Sequence, residues 1–239
     1  MDDDTADYYH MKPGKLGEEL AASMFSDEEG SHFMMTEDMR CPFLRDDGLC
    51  RIVLAYGEES LCDVCALHPR FFFEYGEYEL CGLGLSCERV CELLWETDEP
   101  LGFTDEGFHF TGQQRSYRPD IDRESLEELF LLYQDTEPID EVWDIEMAEL
   151  LSDIDRVYEA ACAYAEVYDT GRYDRLYHYI LYRQLEKADT EDIYLFAKRA
   201  MDFIFVTDAY RGDVRERIRR FSEQIEYSEE NTKKLYDHT

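Results

Sequence analysis

The spacing of apolar residues in the second half of the chain predicts a series of amphipathic helices. The clearest one runs from Met147 to Tyr168, where apolar residues recur every three or four positions on one face. A shorter helix over residues 122–133 precedes it, with Asp122 as its N-cap. Three more helices are predicted after it: YDRLYHYILYRQLEK, EDIYLFAKRAMDFIFV and GDVRERIRRFSEQIEY. The middle one is apolar on nearly all sides, so we expect it at the centre of a helical bundle.

The first half has a different pattern, in which shorter apolar runs are separated by turn residues. Leu16, Leu20 and Met24 follow a spacing of four and predict one short amphipathic helix. Further along, FFFEYGEYELCGLG has the pattern of a β-hairpin whose turn is YGEY. SCERVCELLW then returns to helical spacing and places Cys87 and Cys91 one turn apart.

A stretch rich in glycine, proline and polar residues separates the two halves. We predict a mainly α protein in which a cysteine-rich, metal-binding N-terminal half with short hairpins packs on a C-terminal helical bundle. The predicted regions are 1–100 for the cysteine-rich part, 101–121 for a linker that can form one hairpin, and 122–239 for the bundle.

Charge excludes one class of partner. The 239 residues include 57 acidic and 24 basic side chains, which gives a formal net charge of -33. A surface this acidic repels phosphate backbones, so we do not expect nucleic acid as a partner. The basic residues near the C-terminus are interpreted as a solvated helix face. They are Arg211, Arg215, Arg217, Arg219 and Arg220.

Membrane insertion and export are not expected either. No stretch approaches the roughly 18 consecutive apolar residues that a membrane span requires. The N-terminal MDDDTADYYH has neither the basic nor the apolar part of a signal peptide. We therefore predict a soluble cytoplasmic protein with no membrane partner.

Cysteine is distributed very unevenly along the chain. Seven of the eight cysteines fall between Cys41 and Cys91, with the spacing C-x8-C-x11-C-x2-C-x15-C-x5-C-x3-C. In a reducing compartment, clustered thiols are more often metal ligands or catalytic groups than disulfides. The spacing matches neither a zinc ribbon nor a ferredoxin, so it favours a metal site without identifying the metal. The alternative is that cysteines pack as small hydrophobic residues, which we favour for Cys162.

At these residues the chain resembles a known family, the flagellin lysine-N-methylases, within a broader group whose cysteine domain is described as zinc- or iron-chelating. The resemblance rests on CPFL at 41–44, LCRI at 49–52, the following YGEESLCDVCALHPR, and GLGLSCERVCELL. It extends upstream through DDDTADYYHMKPGKLGEEL and more weakly downstream through HYILYRQLEKADTEDIYLFAKRAM, so it covers most of the chain.

The resemblance implies a bacterial protein lysine N-methyltransferase that transfers a methyl group from S-adenosylmethionine to surface lysines of flagellin. It also implies an iron–sulfur cluster, of the 4Fe-4S type, with zinc as the alternative metal. The family's recurrent cysteines correspond to four predicted metal ligands: Cys41, Cys50, Cys65 and Cys87. Three further cysteines are less regular in the family: Cys62, Cys81 and Cys91.

The cofactor-binding and catalytic groups are less defined than the metal ligands. Arg70 follows a helix-stopping proline and is the candidate for binding a carboxylate or a cluster-bound ligand, the alternative being a structural ion pair. Methyl transfer to lysine also requires a group that accepts the lysine proton. The sequence offers Glu58, Glu59, Tyr75 and Tyr78 without choosing among them.

One departure from the family pattern leaves two hypotheses open. Family members usually carry a further cysteine-rich segment upstream, whereas this chain has no cysteine before Cys41. The first hypothesis is an active lysine N-methyltransferase. The second is a non-catalytic module in which the cysteines hold zinc or an iron–sulfur cluster and the helical half binds a protein partner.

Overall fold

A computed structural model describes residues 1–27, 30–38, 40–101, 108–110, 112, 114–186 and 190–236. These residues form twelve α-helices and two two-stranded sheets, which confirms the prediction of a mainly α protein. The chain divides into two compact units, Met1–Arg70 (unit 1) and Phe71–Thr239 (unit 2). The division falls inside the predicted region 1–100, so residues 71–100 belong to the same unit as the helical bundle. Residues 102–107, which make up most of the hairpin predicted within the linker, lie outside the described residues.

Unit 1 is built from short elements. Its elements are α1 Asp3–His10, α2 Gly14–Ser23, β1 Met24–Asp27, β2 Gly30–Phe33, α3 Arg51–Tyr56, a 3-10 turn at Glu58–Ser60, and α4 Asp63–Leu67. Asp2 caps α1 by accepting a hydrogen bond from the Thr5 backbone N–H. The strands β1 and β2 pair antiparallel, with Met24 opposite Phe33.

The core of unit 1 is small. Its fully buried members are Tyr9, Leu20, Phe43 and Ile52. The Phe33 ring joins two of them, since its centroid lies 5.8 Å from that of Tyr9 and 4.8 Å from that of Phe43. Half-buried residues surround this group, and two of them are Cys41 and Cys50.

Unit 2 combines one hairpin with eight helices among the described residues. Its elements are β3 Arg70–Tyr75, β4 Tyr78–Leu83, α5 Glu88–Glu96, α6 Arg123–Gln134, α7 Glu141–Ser152, α8 Ile154–Ala165, α9 Thr170–Arg183, α10 Thr190–Arg211, α11 Val214–Phe221, a π-helical turn at Ser222–Glu226, and α12 Glu229–Tyr236. Aspartate side chains cap four of the helices by accepting backbone N–H groups. They are Asp122, Asp140, Asp169 and Asp213.

Helix α10 lies at the centre of the bundle, as its apolar sequence predicted. It packs against α6, α8, α9, α11 and α12. Its side chains on several faces are fully buried, among them Phe196, Met201 and Ile204. None of the helices in the described residues is long and apolar enough to cross a membrane.

The prediction of one long helix from Met147 to Tyr168 was wrong. The chain leaves helical geometry at Asp153, where φ is -102° and ψ is 20°, so that α7 and α8 are separate helices. Both helices bury their apolar side on the same core, and the apolar spacing therefore continues across the break. The expectation that Cys162 is buried was also wrong, because its side chain is exposed on α8.

The C-terminal arginines are paired rather than freely solvated. Arg217 Nη1 lies 2.6 Å from Glu146 Oε1, and both Nη atoms of Arg220 donate to the Asp140 carboxylate, at 2.8 and 3.0 Å. The side chains of Arg217 and Arg220 are only 15% and 12% exposed. These pairs join α11 to α7, so the interpretation as a solvated face was wrong for them.

The structure confirms the predicted β3–β4 hairpin. Side chains of α9 form hydrogen bonds with its second strand. The Tyr179 hydroxyl donates to the carbonyl of Leu83 and accepts from its N–H, both at 2.7 Å. The Tyr182 hydroxyl donates to the carbonyl of Cys81, also at 2.7 Å. The tyrosine hydroxyls thus satisfy backbone groups of β4 at Cys81 and Leu83, and within the described residues β3 is the one strand that pairs with β4.

A buried ion pair fixes the same region to the π-helical turn. Arg183 Nε lies 2.7 Å from Glu226 Oε1, and the two side chains are 10% and 1% exposed. Ser222 Oγ donates to the other carboxylate oxygen of Glu226 at 2.6 Å. Gln184 also donates to Oε1, at 3.2 Å, so this buried charge has several hydrogen-bond donors.

Candidate metal centre

Four cysteines come together in unit 1. Cys41 and Cys50 flank a closed turn, in which Leu44 and Cys50 form an antiparallel β-bridge and Gly48 adopts a φ of 80°. A left-handed conformation of this kind is one that glycine adopts without a steric penalty. Cys62 is the N-cap residue of α4, and Cys65 lies in the first turn of that helix.

The C-x2-C pair is the closest contact within this group. Residues three positions apart at a helix start lie on the same face, and the side chains of Cys62 and Cys65 are hydrogen-bonded. That bond lowers the pKa of Cys62 to about 6 and raises the pKa of Cys65. Burial and the charges of Cys62, Cys41 and Cys50 raise the pKa of Cys65 further, so Cys65 interacts with each of the other three thiols.

Tyr9 links this thiol group to the core of unit 1. Its hydroxyl donates to the Ser60 carbonyl at 2.6 Å. Burial raises the pKa of Tyr9, and negative charge on Cys62, Cys65 and Cys50 raises it further. Sequence analysis did not single out Tyr9, because a tyrosine in an acidic helix far from any cysteine carries no local signal of this contact.

The donor chemistry of the group fits a soft metal, while the geometry is not that of a closed site. Four thiolates are the ligand set of structural zinc and of iron–sulfur clusters. Within the described parts of the chain, however, no three or more His, Cys, Asp or Glu side chains are arranged to hold a metal ion. The four thiols are neighbours that interact, without converging on one point.

The other three cysteines of the dense stretch belong to unit 2. Cys91 is 1% exposed, its thiol donates to the Leu85 carbonyl at 3.0 Å, and burial raises its pKa to about 12. Cys87 is the N-cap residue of α5 and packs half-buried on the core of unit 2, whereas Cys81 is exposed on β4. The ligand set predicted from the resemblance therefore has three members in unit 1, and its fourth, Cys87, in unit 2.

The predicted cofactor-binding and catalytic groups are dispersed. Arg70 is exposed at the start of β3 and forms no ion pair with a carboxylate of the described residues. Glu58 and Glu59 lie exposed in the 3-10 turn. Tyr75 and Tyr78 both pack edge-on against the Phe108 ring in unit 2. None of these contacts selects one of the four as the group that accepts a lysine proton.

No protein-family model, no curated protein and no solved structure matches the chain. The resemblance to the flagellin lysine-N-methylases therefore stays a prediction.

Proposed function

We propose that unit 1 is a cysteine-ligated metal-binding module in which Cys41, Cys50, Cys62 and Cys65 hold one zinc ion or one iron–sulfur cluster. The observation that carries this proposal is the placement of Cys62 and Cys65 at the start of α4, with Cys41 and Cys50 close enough that their charge raises the pKa of Cys65. Thiols repel one another as thiolates, and a cation among them removes that repulsion.

Two properties of the four residues support the proposal. Cys50 and Cys62 are the N-cap residues of α3 and α4, where the partial positive charge of a helix start favours a thiolate, although neither sulfur accepts a backbone N–H of its helix. The hydrogen bond with Cys65 lowers the pKa of Cys62 to about 6, which favours the thiolate, the form that binds metals. The metal would cross-link three segments of the chain, around Cys41, around Cys50 and at Cys62–Cys65. The buried Tyr9 ring would keep water away from one side of the metal.

The test is metal and sulfide analysis of the full chain purified without oxygen. We expect a stoichiometric amount of zinc, or of iron with acid-labile sulfide. Changing Cys41, Cys50, Cys62 or Cys65 to Ser is expected to weaken metal retention severely, because a closed site depends on each thiolate. Changing Cys81 or Cys162 to Ser is the matched control and is expected to leave the metal content unchanged.

Two single variants, Cys62→Ser and Cys87→Ser, distinguish the ligand set proposed here from the set that the resemblance implies. The proposal requires that Cys62→Ser loses metal and that Cys87→Ser keeps it. The opposite result would contradict this proposal and support the set implied by the resemblance. A protein that contains neither zinc nor iron in any preparation would contradict the proposal.

Lysine N-methyltransferase activity remains a separate prediction that rests on the resemblance alone. It is tested by incubating the metal-loaded chain with labelled S-adenosylmethionine and flagellin. A metal-loaded protein that transfers no label would leave the metal-binding module standing and would contradict the enzymatic prediction.

A further inference from the structure

A cavity of about 630 Å³ opens in unit 2 between α6 and α10. It has no part in the candidate metal centre, whose cysteines all lie in unit 1. Its apolar walls include Leu129 and Leu132 from α6 and Leu195 from α10, all half-buried. The fully buried Val206 and the almost fully buried Leu126 line it as well. These side chains offer a surface suited to an aliphatic chain.

Carboxylates line the same cavity. They are Asp120, Asp122, Glu128 and Asp202. Asp202 is 13% exposed, and it accepts hydrogen bonds from the Tyr117 hydroxyl at 2.9 Å and from Lys198 Nζ at 2.5 Å. Burial raises the pKa of Asp202, and the nearby charge of Asp120 adds to that effect.

The cavity's own cations are already engaged. Lys198 binds Asp202, and Arg199 Nη1 donates to the carbonyls of Lys234 and Leu235, at 3.4 and 3.0 Å. Asp122 is the N-cap of α6 and accepts from two backbone N–H groups. Asp120 and Glu128 are exposed and form no ion pair with a basic side chain of the described residues. Among the described residues, Asp202 is thus the one lining carboxylate that is paired with a basic side chain, and Asp120 and Glu128 are exposed beside the cavity without such a pair.

The dimensions of the cavity constrain the ligand. On α10 the lining residues extend from Leu195 to Val206, which corresponds to roughly 16 Å at a rise of about 1.5 Å per residue. A compact cation would leave most of this apolar surface uncovered. An extended, unbranched chain that carries charged groups matches both the length of the cavity and the presence of leucines and carboxylates in its lining.

We propose that the cavity between α6 and α10 binds an aliphatic polyamine, with its methylene chain on Leu129, Leu132 and Leu195 and its ammonium groups at Asp120 and Glu128. Charge complementarity favours this occupant over an anion or a neutral lipid, because the whole chain carries a net charge of -33 and concentrates polycations at its surface. The apolar walls distinguish it from a simple divalent cation, for which oxygen ligands alone are sufficient.

The test is calorimetric titration of the full chain with spermidine at near-physiological salt. We expect saturable one-to-one binding, and at least tenfold weaker binding when Asp120→Asn and Glu128→Gln are combined. The control combines Glu159→Gln with Glu166→Gln, two exposed positions on or next to α8 that change the net charge equally. Equal weakening in both double variants would show general surface attraction and overturn the proposal.

Two further measurements test the role of the apolar walls. Leu195→Trp fills part of the cavity without changing charge and is expected to weaken spermidine binding at least tenfold, with the helical circular dichroism unchanged. Magnesium, added so that its total positive charge equals that of the spermidine, is expected to displace little spermidine from the chain. Full displacement by magnesium, unaltered binding by Leu195→Trp, or no saturable binding of spermidine would each overturn the proposal.

Discussion

The two units of this chain differ in how they are stabilised. Unit 2 has a continuous core in which α10 is enclosed by five other helices and aromatic rings stack deep in the interior, for example Tyr133 on Phe203 at 4.2 Å. Among its described residues, unit 1 has a core of four buried side chains and helices of at most ten residues. The cysteines that interact with one another lie in unit 1, beside that small core.

This difference suggests that the small core of unit 1 depends for its stability on what the thiols bind. Small domains bury too little apolar surface to offset the conformational entropy of folding, and they commonly use metals or disulfides in addition. A metal bound only by the folded state contributes its binding free energy to folding. The proposed metal is therefore expected to matter for the stability of unit 1 and not for that of unit 2.

Metal removal is the strongest test of this contrast. Treating the purified chain with a chelator is expected to abolish hydrogen-exchange protection in α1–α3, since structural zinc in small modules contributes roughly 10 kcal/mol or more. Protection in α10 is expected to stay as it was. Unchanged protection in unit 1 after complete metal loss would show that its small core is sufficient and would remove the contrast.

A large core deletion tests unit 2 in the same way. Trp143 is fully buried and its ring lies 5.5 Å from that of Phe203. Trp143→Ala is expected to lower the free energy of unfolding of unit 2 by about 3–5 kcal/mol, because it leaves a cavity in a packed interior. Denaturant unfolding followed by circular dichroism measures this change. The exposed neighbour Val142→Ala is the control, with an expected change within about 0.5 kcal/mol.

The buried ion pair of unit 2 gives a smaller effect. Glu226→Gln removes the charge that faces Arg183 while keeping the size of the side chain. We expect a loss of about 3 kcal/mol, because the guanidinium is then left buried without its counter-charge. Glu229→Gln serves as the control, since the Glu229 side chain is 93% exposed. Equal stability of the two variants would show that hydrogen bonds alone are sufficient at this site.

The smallest expected effect is a pH dependence at α7. Hydrogen bonds from Arg220 hold the pKa of Asp140 below its usual range. A carboxyl whose folded-state pKa is lowered stabilises the fold above its unfolded pKa of about 3.9, and that stability is lost as the pH falls through the folded value. Because the Asp140 side chain is 43% exposed, solvent screening limits the gain to about 0.5–1 kcal/mol.

Asp140→Asn measures this contribution because asparagine still caps the helix without a charge. We expect the variant to be less stable than the parent chain at pH 7, with a smaller difference at pH 3. Glu159→Gln, an exposed substitution on α8, is expected to show no such convergence. A constant difference between Asp140→Asn and the parent chain at both pH values would contradict the assigned cause.

Much of the fold could be predicted from local pattern. The all-round apolar sequence of α10 predicted its central position, and the turn residues between two aromatic runs predicted the β3–β4 hairpin. The break at Asp153 could not be predicted in this way, because α7 and α8 face the same core and keep the apolar spacing intact. The ion pairs that Arg217 and Arg220 form with α7 depend on how the helices pack. The local spacing of apolar residues does not predict that packing.

The candidate site was predictable only in part. Cys41, Cys50 and Cys65 are three of the four ligands that the resemblance implies, and all three lie in the group of thiols around Cys65. Cys62 ranked lower, although the helix start at Asp63 places it beside Cys65. Tyr9 was missed because its contact with Ser60 joins residues that are far apart in sequence. Contacts of this kind become visible only when distant segments are placed in space.

Tyr179 and Tyr182 on α9 also bear on aggregation between copies of this chain. A two-stranded hairpin ordinarily exposes an unpaired edge on which a strand from a second molecule can add, and such addition is a common start of aggregation. Here the hydroxyls of Tyr179 and Tyr182 occupy the backbone groups of Leu83 and Cys81 that a foreign strand would need. At Cys81 and Leu83, side chains of the same molecule therefore compete with any strand from a second molecule for the backbone groups of β4.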